Sequence, residues 1–239
     1  MDISVVIPAF GESRKIGGDI RAAAEFLASN HFKGQIIVVD DGSKDGTSEV
    51  ARSVGSGFEE GIEVEVIRYS EHRGKGYAVR TGISKSKGEY VLLADSGCCV
   101  PYDRVLTGLE LIKTSRCDIA HGSRRLADSR IIKPQSLYRR FCARLFQWFI
   151  KFVMKVNSGI TDSQCGFKVY RGDVARDLYS RCITDGFIFD VEIILMAQKQ
   201  GYRIEEFPIE WTCDRDSRLS PSRSLWRIVC ELVKIKRLV

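Results

Sequence analysis

The apolar positions of this chain gather into short runs separated by longer amphipathic stretches. Ile3–Pro8 (ISVVIP), Gln35–Asp40 (QIIVVD) and residues 90–94 are strand-length runs, the last carrying Val91, Leu92, Leu93 and Ala94. Ile62–Arg68 alternates apolar and polar residues, the pattern of a half-buried strand. Between these runs, Arg14–Ser29, Asp45–Val54, the segment after Arg73 and residues 102–115 have helical composition, and Cys117–His121 is a further strand. This strand–helix rhythm predicts an α/β fold, a mostly parallel sheet with helices on both faces. With no internal repeat, low-complexity segment or Pro/Gly-rich linker, residues 1–239 read as one domain.

The second half is less regular. Residues 136–156 predict a long, Phe-rich, basic helix. The segment SGITDSQCGFKVYRGD reads as a loop, followed by a helix near 173–182. DGFIFDVEIILMAQKQGY enters another helix, and RIEEFPIEW is a strand whose Pro208 suits an edge or terminal position. Ser222–Val239 reads as a basic amphipathic helix, with Ser220 and Pro221 as its N-cap and first residue. In the 136–156 helix, Arg140, Arg144, Gln147, Lys151 and Lys155 fall on one stripe, and aromatic and aliphatic residues cover the rest. That is either a core helix with a solvated face or a helix lying in lipid headgroups. The dense mixing of aromatic and basic residues here, and again around Trp226, Arg227, Lys234, Lys236 and Arg237, favours the membrane surface.

Composition narrows the classes. At 239 residues, 44% hydrophobic and 28% charged, the chain has ample material for a core. A net charge of +6 suits phosphate-bearing ligands or an anionic membrane surface. The basic residues track helices beside apolar faces and not stacking platforms, which argues against nucleic acid. Eight cysteines contain no C-x-x-C pair and read as reduced thiols of a cytosolic protein. MDISVVIPAF lacks a signal-peptide pattern, and no uncharged apolar run approaches the ~20 residues of a spanning helix.

The candidate chemistry sits at strand ends, where open α/β sheets bind ligands. Asp95 ends the strand at 91–94, followed by Ser96 and Gly97. The adjacent Asp40 and Asp41 in VVDDGSKDGT are costly to bury without partners. One can hold the turn backbone while the other accepts hydrogen bonds from a base or ribose; alternatively both cap the next helix. HRGKGYAVRTGI places Arg73 and Lys75 between glycines at a helix start, which suits a diphosphate, or a solvated turn.

The order VVIPAFGE, VVDDGSKDGT, RGKGYAVRTG, GEYVLLAD, GSR, DSQCGFKVY, FDVEI spans residue 3 to about 223. It resembles the family 2 glycosyltransferases of GT-A (Rossmann-like) fold, in their dolichyl-phosphate and polyprenyl-phosphate sugar synthase branch. The resemblance implies an inverting enzyme with a nucleotide-sugar-binding half (1–123), an acceptor half (124–221) and a C-terminal amphipathic helix (222–239). It implies that Pro8, Ala9, Phe10, Glu12 and Gly42 bound the nucleotide pocket and that Asp41 recognises the base. Arg73 and Lys75 then lie by the nucleotide, and Asp95, Ser96 and Gly97 by the ribose and diphosphate. Arg124 and Arg139 match acceptor-phosphate contacts, with Arg140, Gln164 and Lys168 beside them. Three positions depart from the pattern: Gly11 replaces an asparagine, Ala143 a serine, and Asp95-Ser96-Gly97 an Asp-x-Asp. Asp95 is thus the one expected ligand of a weakly held divalent cation, Mg²⁺ or Mn²⁺, recruited with the donor.

The acceptor decides whether a base is needed. A sugar hydroxyl must lose a proton, whereas a lipid phosphate is already anionic and needs only cations to orient it. Asp162, Asp190 and Glu192 are the candidate bases, the last two also explicable as helix N-terminal charges. The catalytic group expected is Asp95, Arg124, Arg139 and Asp190. The donor expected is a UDP-sugar over a GDP-sugar, the acceptor a polyprenyl or dolichyl phosphate, and the location peripheral at the cytoplasmic face of a membrane. The alternatives are a soluble hydroxyl acceptor or a non-catalytic sugar-nucleotide-binding protein.

Overall fold

The computed structural model describes residues 1–58, 61–134, 144–148, 150, 154, 156, 159–213, 231–232 and 234–236. Strands β1 (Ile3–Ala9), β2 (Gly34–Asp40), β3 (Ile62–Arg68), β4 (Tyr90–Ala94), β5 (Ile119–Ser123), β7 (Phe167–Arg171) and β8 (Ile204–Pro208) form one sheet. Its order is β3-β2-β1-β4-β7-β5-β8, and β6 (Arg130–Lys133) pairs with β9 (Glu210–Thr212) in a small second sheet. All pairs of the large sheet are parallel except those of β7, which runs antiparallel to β4 and β5.

Period-two alternation sorts each strand between two helical layers. Ile3, Val5 and Ile7, Ile36 and Val38, and Leu92 and Ala94 pack under α1 (Ile16–Ser29), α2 (Thr47–Gly55) and α4 (Arg104–Lys113). Val6, Ile37, Val39, Val91 and Leu93 face α3 (Lys75–Lys85), α5 (Gly172–Arg181) and α6 (Phe189–Lys199). A third cluster joins Ile150, Met154 and Ile160 to Val191 and Ile194 of α6 and to Leu232 and Ile235. Pro208 ends β8 at the edge of the sheet, where its missing N–H costs no ladder bond.

The largest departure from the sequence reading is β7. The segment expected as a loop contributes a strand to the middle of the sheet. Phe167 and Val169 face one core; Tyr170 faces the other, and Lys168 shares its parity. A lysine at a core position breaks the apolar signature of a strand. It is accommodated because its ammonium, fully buried, pairs with Asp190 of α6 and donates to the Ser163 carbonyl at 3.2 Å. The predicted strand at 117–121 also shifts, to end at Ser123, which puts Arg124 directly at the sheet edge. β6 was not foreseen, and the single strand expected over 203–211 divides into β8 and β9. Of the helix expected over 136–156, residues 144–148 are helical. Arg139, Arg140, Ala143, Lys151, Lys155 and most of the 222–239 segment lie outside the described residues.

Removing Lys168 would strand a buried carboxylate. Lys168→Met is expected to cost about 3–5 kcal/mol in urea unfolding, with the Lys168→Met/Asp190→Leu double variant recovering most of it. Burial already raises the Asp190 carboxyl above its ordinary value against the pull of Lys168 and Lys75. A raised acid favours the folded state in its protonated form, so the deficit of Lys168→Met should be larger at pH 8 than at pH 5.

Candidate active site

The carboxyl ends of β1, β2 and β4 and the start of α3 bring four loops together. The second loop braces the first through successive amides. Gly11 N–H donates to Ser43 Oγ (2.8 Å), Glu12 N–H to Thr47 Oγ1 (2.9 Å) and Ser13 N–H to Asp45 Oδ2 (3.2 Å). The polar residues of DDGSKDGT therefore hold backbone before they meet any ligand. Asp40 accepts the Ser43 N–H (3.0 Å), which leaves the turn to Asp40 and the neighbouring loop to Asp41. Asp41 accepts the N–H groups of Arg73 (2.7 Å) and Gly74 (2.8 Å), and His72 Nδ1 stands 2.8 Å from its Oδ2. Gly42 has φ +75, and a Cβ there would meet the Glu71–His72 peptide at 2.7 Å, so only glycine fits this junction. The ring of Phe10 stacks on that of His72, centroids 4.1 Å apart. Phe10, Gly42, Ser43, Lys44, Glu71 and His72 are among the residues lining an open cleft of about 540 Å³.

Asp95 lies deeper. Lys75 Nζ donates to its Oδ2 at 2.9 Å and lies 2.7 Å from Oδ1 but off the hydrogen-bonding line, so the buried Oδ1 has no hydrogen bond. Burial pulls the Lys75 ammonium down, but Asp95 and Asp190 outweigh it and raise it above its ordinary value. Asp95, Lys75, Asp190 and Lys168 thus alternate in sign from the partly exposed end of β4 into the core. The Arg73 guanidinium is exposed and stacks 3.6 Å over the Tyr77 ring.

The loop after Asp95 is fastened by a residue the sequence reading did not single out. Asp19 accepts from Ser96 Oγ (3.0 Å) and from the N–H groups of Gly97 (2.9 Å) and Cys98 (2.7 Å). The signal was present: Asp19 is a carboxylate beside the buried Ile16, Ile20, Ala23 and Leu27 of α1, which requires a partner. Gly97 has φ +99, so an L-residue there would be strained. The second acid of the expected Asp-x-Asp is therefore excluded by backbone conformation as well as by identity. Burial and Asp19 push the Cys98 thiol up to about 12, which keeps it protonated at neutral pH.

The residues expected on the acceptor side form a second cluster on the same edge. Arg124 grips Asp162 through Nε (2.7 Å) and Nη2 (2.8 Å) and lies 5.1 Å over the Trp211 ring. The N–H groups of Thr161 and Asp162 donate to Glu206 at 3.0 and 2.7 Å. The turn carrying Gln164 abuts Asp95, whose N–H donates to the Gly166 carbonyl at 2.9 Å. Lys168, expected among the acceptor-contacting cations, is instead buried with Asp190. The three candidate bases are all engaged: Asp162 with Arg124, Asp190 with Lys168, and Glu192 with the N–H groups of Ile183 (2.8 Å) and Thr184 (2.9 Å). Among the described residues, no three His, Cys, Asp or Glu side chains converge as a metal site.

Burial works to raise the Asp162 carboxyl, but the Arg124 hydrogen bonds and charge prevail and hold it below its ordinary value. A lowered acid stabilises the fold above its unfolded value and loses that contribution as pH falls through the folded one. Asp162→Asn should therefore cost about 1.5–3 kcal/mol at pH 7. The wild-type and variant urea-unfolding curves should converge as pH is lowered below about 4.

Comparison with known proteins agrees with this architecture. The sequence pattern of glycosyl transferase family 2 matches residues 4–179. The dolichyl-phosphate beta-glucosyltransferase of Dictyostelium discoideum is 30% identical, over 98% of this chain and 73% of its own length. The Homo sapiens protein of that name is 32% identical, over 98% and 74%. Glucosyl-3-phosphoglycerate synthase from Mycobacterium tuberculosis, solved with Mn²⁺ and uridine-diphosphate-glucose, superposes with a TM-score of 0.73 at 16% identity, over 98% of this chain and 78% of that one. The superposition shows the shared GT-A fold, and the sequence match over residues 4–179 with relatives at 30% identity and above shows that the chain belongs to glycosyl transferase family 2.

Proposed function

We propose that this glycosyltransferase moves a glucosyl group from UDP-glucose to the phosphate of a dolichyl or polyprenyl lipid, inverting the anomeric carbon. A phosphate oxygen of the lipid attacks C1 as the bond from C1 to the UDP oxygen breaks, and UDP departs. The observation that carries this reading is the state of the three candidate bases, each engaged with a cationic or backbone partner. A hydroxyl acceptor needs an available base; an anionic phosphate does not. The relatives named dolichyl-phosphate beta-glucosyltransferases support the same acceptor and sugar.

In this reading Pro8, Ala9, Phe10, Glu12, Asp41 and Gly42 surround the base, and Arg73 and Lys75 meet the diphosphate. Ser96 and Gly97 border the ribose and diphosphate beside Asp95. Asp95 would offer a carboxylate oxygen to a divalent cation in exchange for the Lys75 ammonium, which lies 2.7 Å from Oδ1 and donates to Oδ2 at 2.9 Å. Such an ion, when bound, supplies positive charge to the departing phosphates. Arg124, held in place by Asp162 and the Trp211 ring, orients the acceptor phosphate; Arg139 shares that role by the family resemblance, and Arg140 and Gln164 stand beside it as further acceptor contacts. Asp190 acts here by holding Lys75 and Lys168 in place, not as a base. Leu145 and Trp148, both 58% exposed, with the exposed Arg144, support a peripheral position on a membrane. No helix among the described residues is long and apolar enough to cross one.

Incubation with UDP-[¹⁴C]glucose, Mg²⁺ or Mn²⁺ and a polyprenyl phosphate should move label into the organic phase. Label that passes only to soluble hydroxyl acceptors, or no transfer with donor binding intact, would replace this reading with one of the two alternatives. Chelator should abolish transfer, and Asp95→Asn should lower it at least about a hundredfold. In the same assay Arg124→Ala should raise the KM for the lipid phosphate about ten- to a hundredfold, with little change in UDP affinity. A collapse of UDP affinity instead would assign Arg124 to the donor site.

A further inference from the structure

His72 makes two contacts of the kind a nucleobase makes. Its ring lies in stacking contact with Phe10, 4.1 Å between centroids and 29° between planes. Its Nδ1 lies 2.8 Å from Asp41 Oδ2. A base bound beside a carboxylate combines these contacts, a stacked face and an edge N–H donated to an acceptor. Two rings already in stacking contact admit no third ring between them, so His72 and a base cannot share that face of Phe10.

We propose that His72 is a built-in competitor for the nucleotide base: it fills the base position in the free protein and must swing out for the donor to bind. The inference rests on the donor reading above, in which Phe10 and Asp41 flank the base. Three features make the exchange feasible. The His72 side chain is 51% exposed and sits with Glu71 and Arg73 on an exposed stretch of loop, so it has solvent to move into. Asp41 fastens that loop through the N–H groups of Arg73 and Gly74, so the loop keeps its anchor when the ring leaves. Departure of the ring also returns a lone pair on Asp41 Oδ2 for an N–H of the incoming base. The open cleft beside the stack, bordered by Ser43 and Lys44, gives the base an entry route. By this reading His72 sets donor affinity, and its cost falls on the base alone, not on the diphosphate.

Calorimetric titration of the full chain with UDP, uridine and pyrophosphate tests this, with the fold of each variant checked by its urea midpoint. His72→Ala and His72→Asn both remove the ring. Each is expected to bind UDP and uridine about two- to tenfold more tightly than the wild type, the scale of one aromatic stacking contact. Pyrophosphate affinity is expected to stay within twofold. Unchanged or weaker UDP and uridine binding by both variants would show that His72 serves the bound base and would overturn the proposal. An equal gain for pyrophosphate would overturn it too, by tracing the effect to the loop as a whole and not to the base position. If the wild type and both variants bind pyrophosphate but neither UDP nor uridine, the donor assignment falls as well. That result is distinct from weaker variant binding, which removes this inference alone.

Discussion

The buried pair of Lys168 and Asp190 is the constraint on which the site depends. Lys168 sits in the one antiparallel strand of the large sheet, between β4 and β5, and Asp190 begins the helix packed over it. Neither charge is tolerable in the core alone, so β7 and α6 must meet at this point. The same meeting sets the field around Lys75, which takes its charge stabilisation from Asp190 below and Asp95 above. Asp95 is in turn seated by β7's own approach, through the Gly166 carbonyl. A glycine is needed there, since a Cβ at Gly166 would lie 2.0 Å from the Asp95 carboxylate.

Most acids of the site serve the backbone first. Asp19, Asp40, Asp41 and Glu192 each accept loop N–H groups, and Asp45 shares the bracing of the first loop. This fits the demands of a diphosphate site built from loops. Backbone that is to face a polyanion must be fixed before the ligand arrives, because ordering it during binding would consume affinity. Carboxylates bonded to N–H groups also have their acceptor capacity filled locally, which leaves the Arg73 guanidinium exposed beside the cleft while Lys75 is paired with Asp95. Asp95 differs in keeping one buried oxygen without a hydrogen bond.

The layered sheet was legible because its strands obey simple rules. β1, β2 and β4 are apolar runs buried on both faces, β3 alternates, and the helices between them carry apolar stripes. The ends of those strands announced the site, since Asp41, Lys75 and Asp95 stand where α/β sheets gather ligands. The family followed from the order of these motifs. β7 escaped because one buried lysine erased its apolar pattern, and β6 because its four residues are all exposed.

Local pattern by itself determined the fold class and brought the candidate site residues to one edge of the sheet. It could not determine which polar groups neutralise one another, because those pairings join positions far apart in the chain. Arg124 and Asp162 are 38 residues apart, His72 and Asp41 31, and Asp19 and Gly97 78. Only the packed structure showed that the candidate bases are held, that Asp19 fixes the loop where a second acid was expected, and that His72 lies on Phe10. The reason is physical: periodicity reports which face of an element is buried, whereas a carboxylate's role depends on the donors that tertiary packing brings within about 3 Å of it.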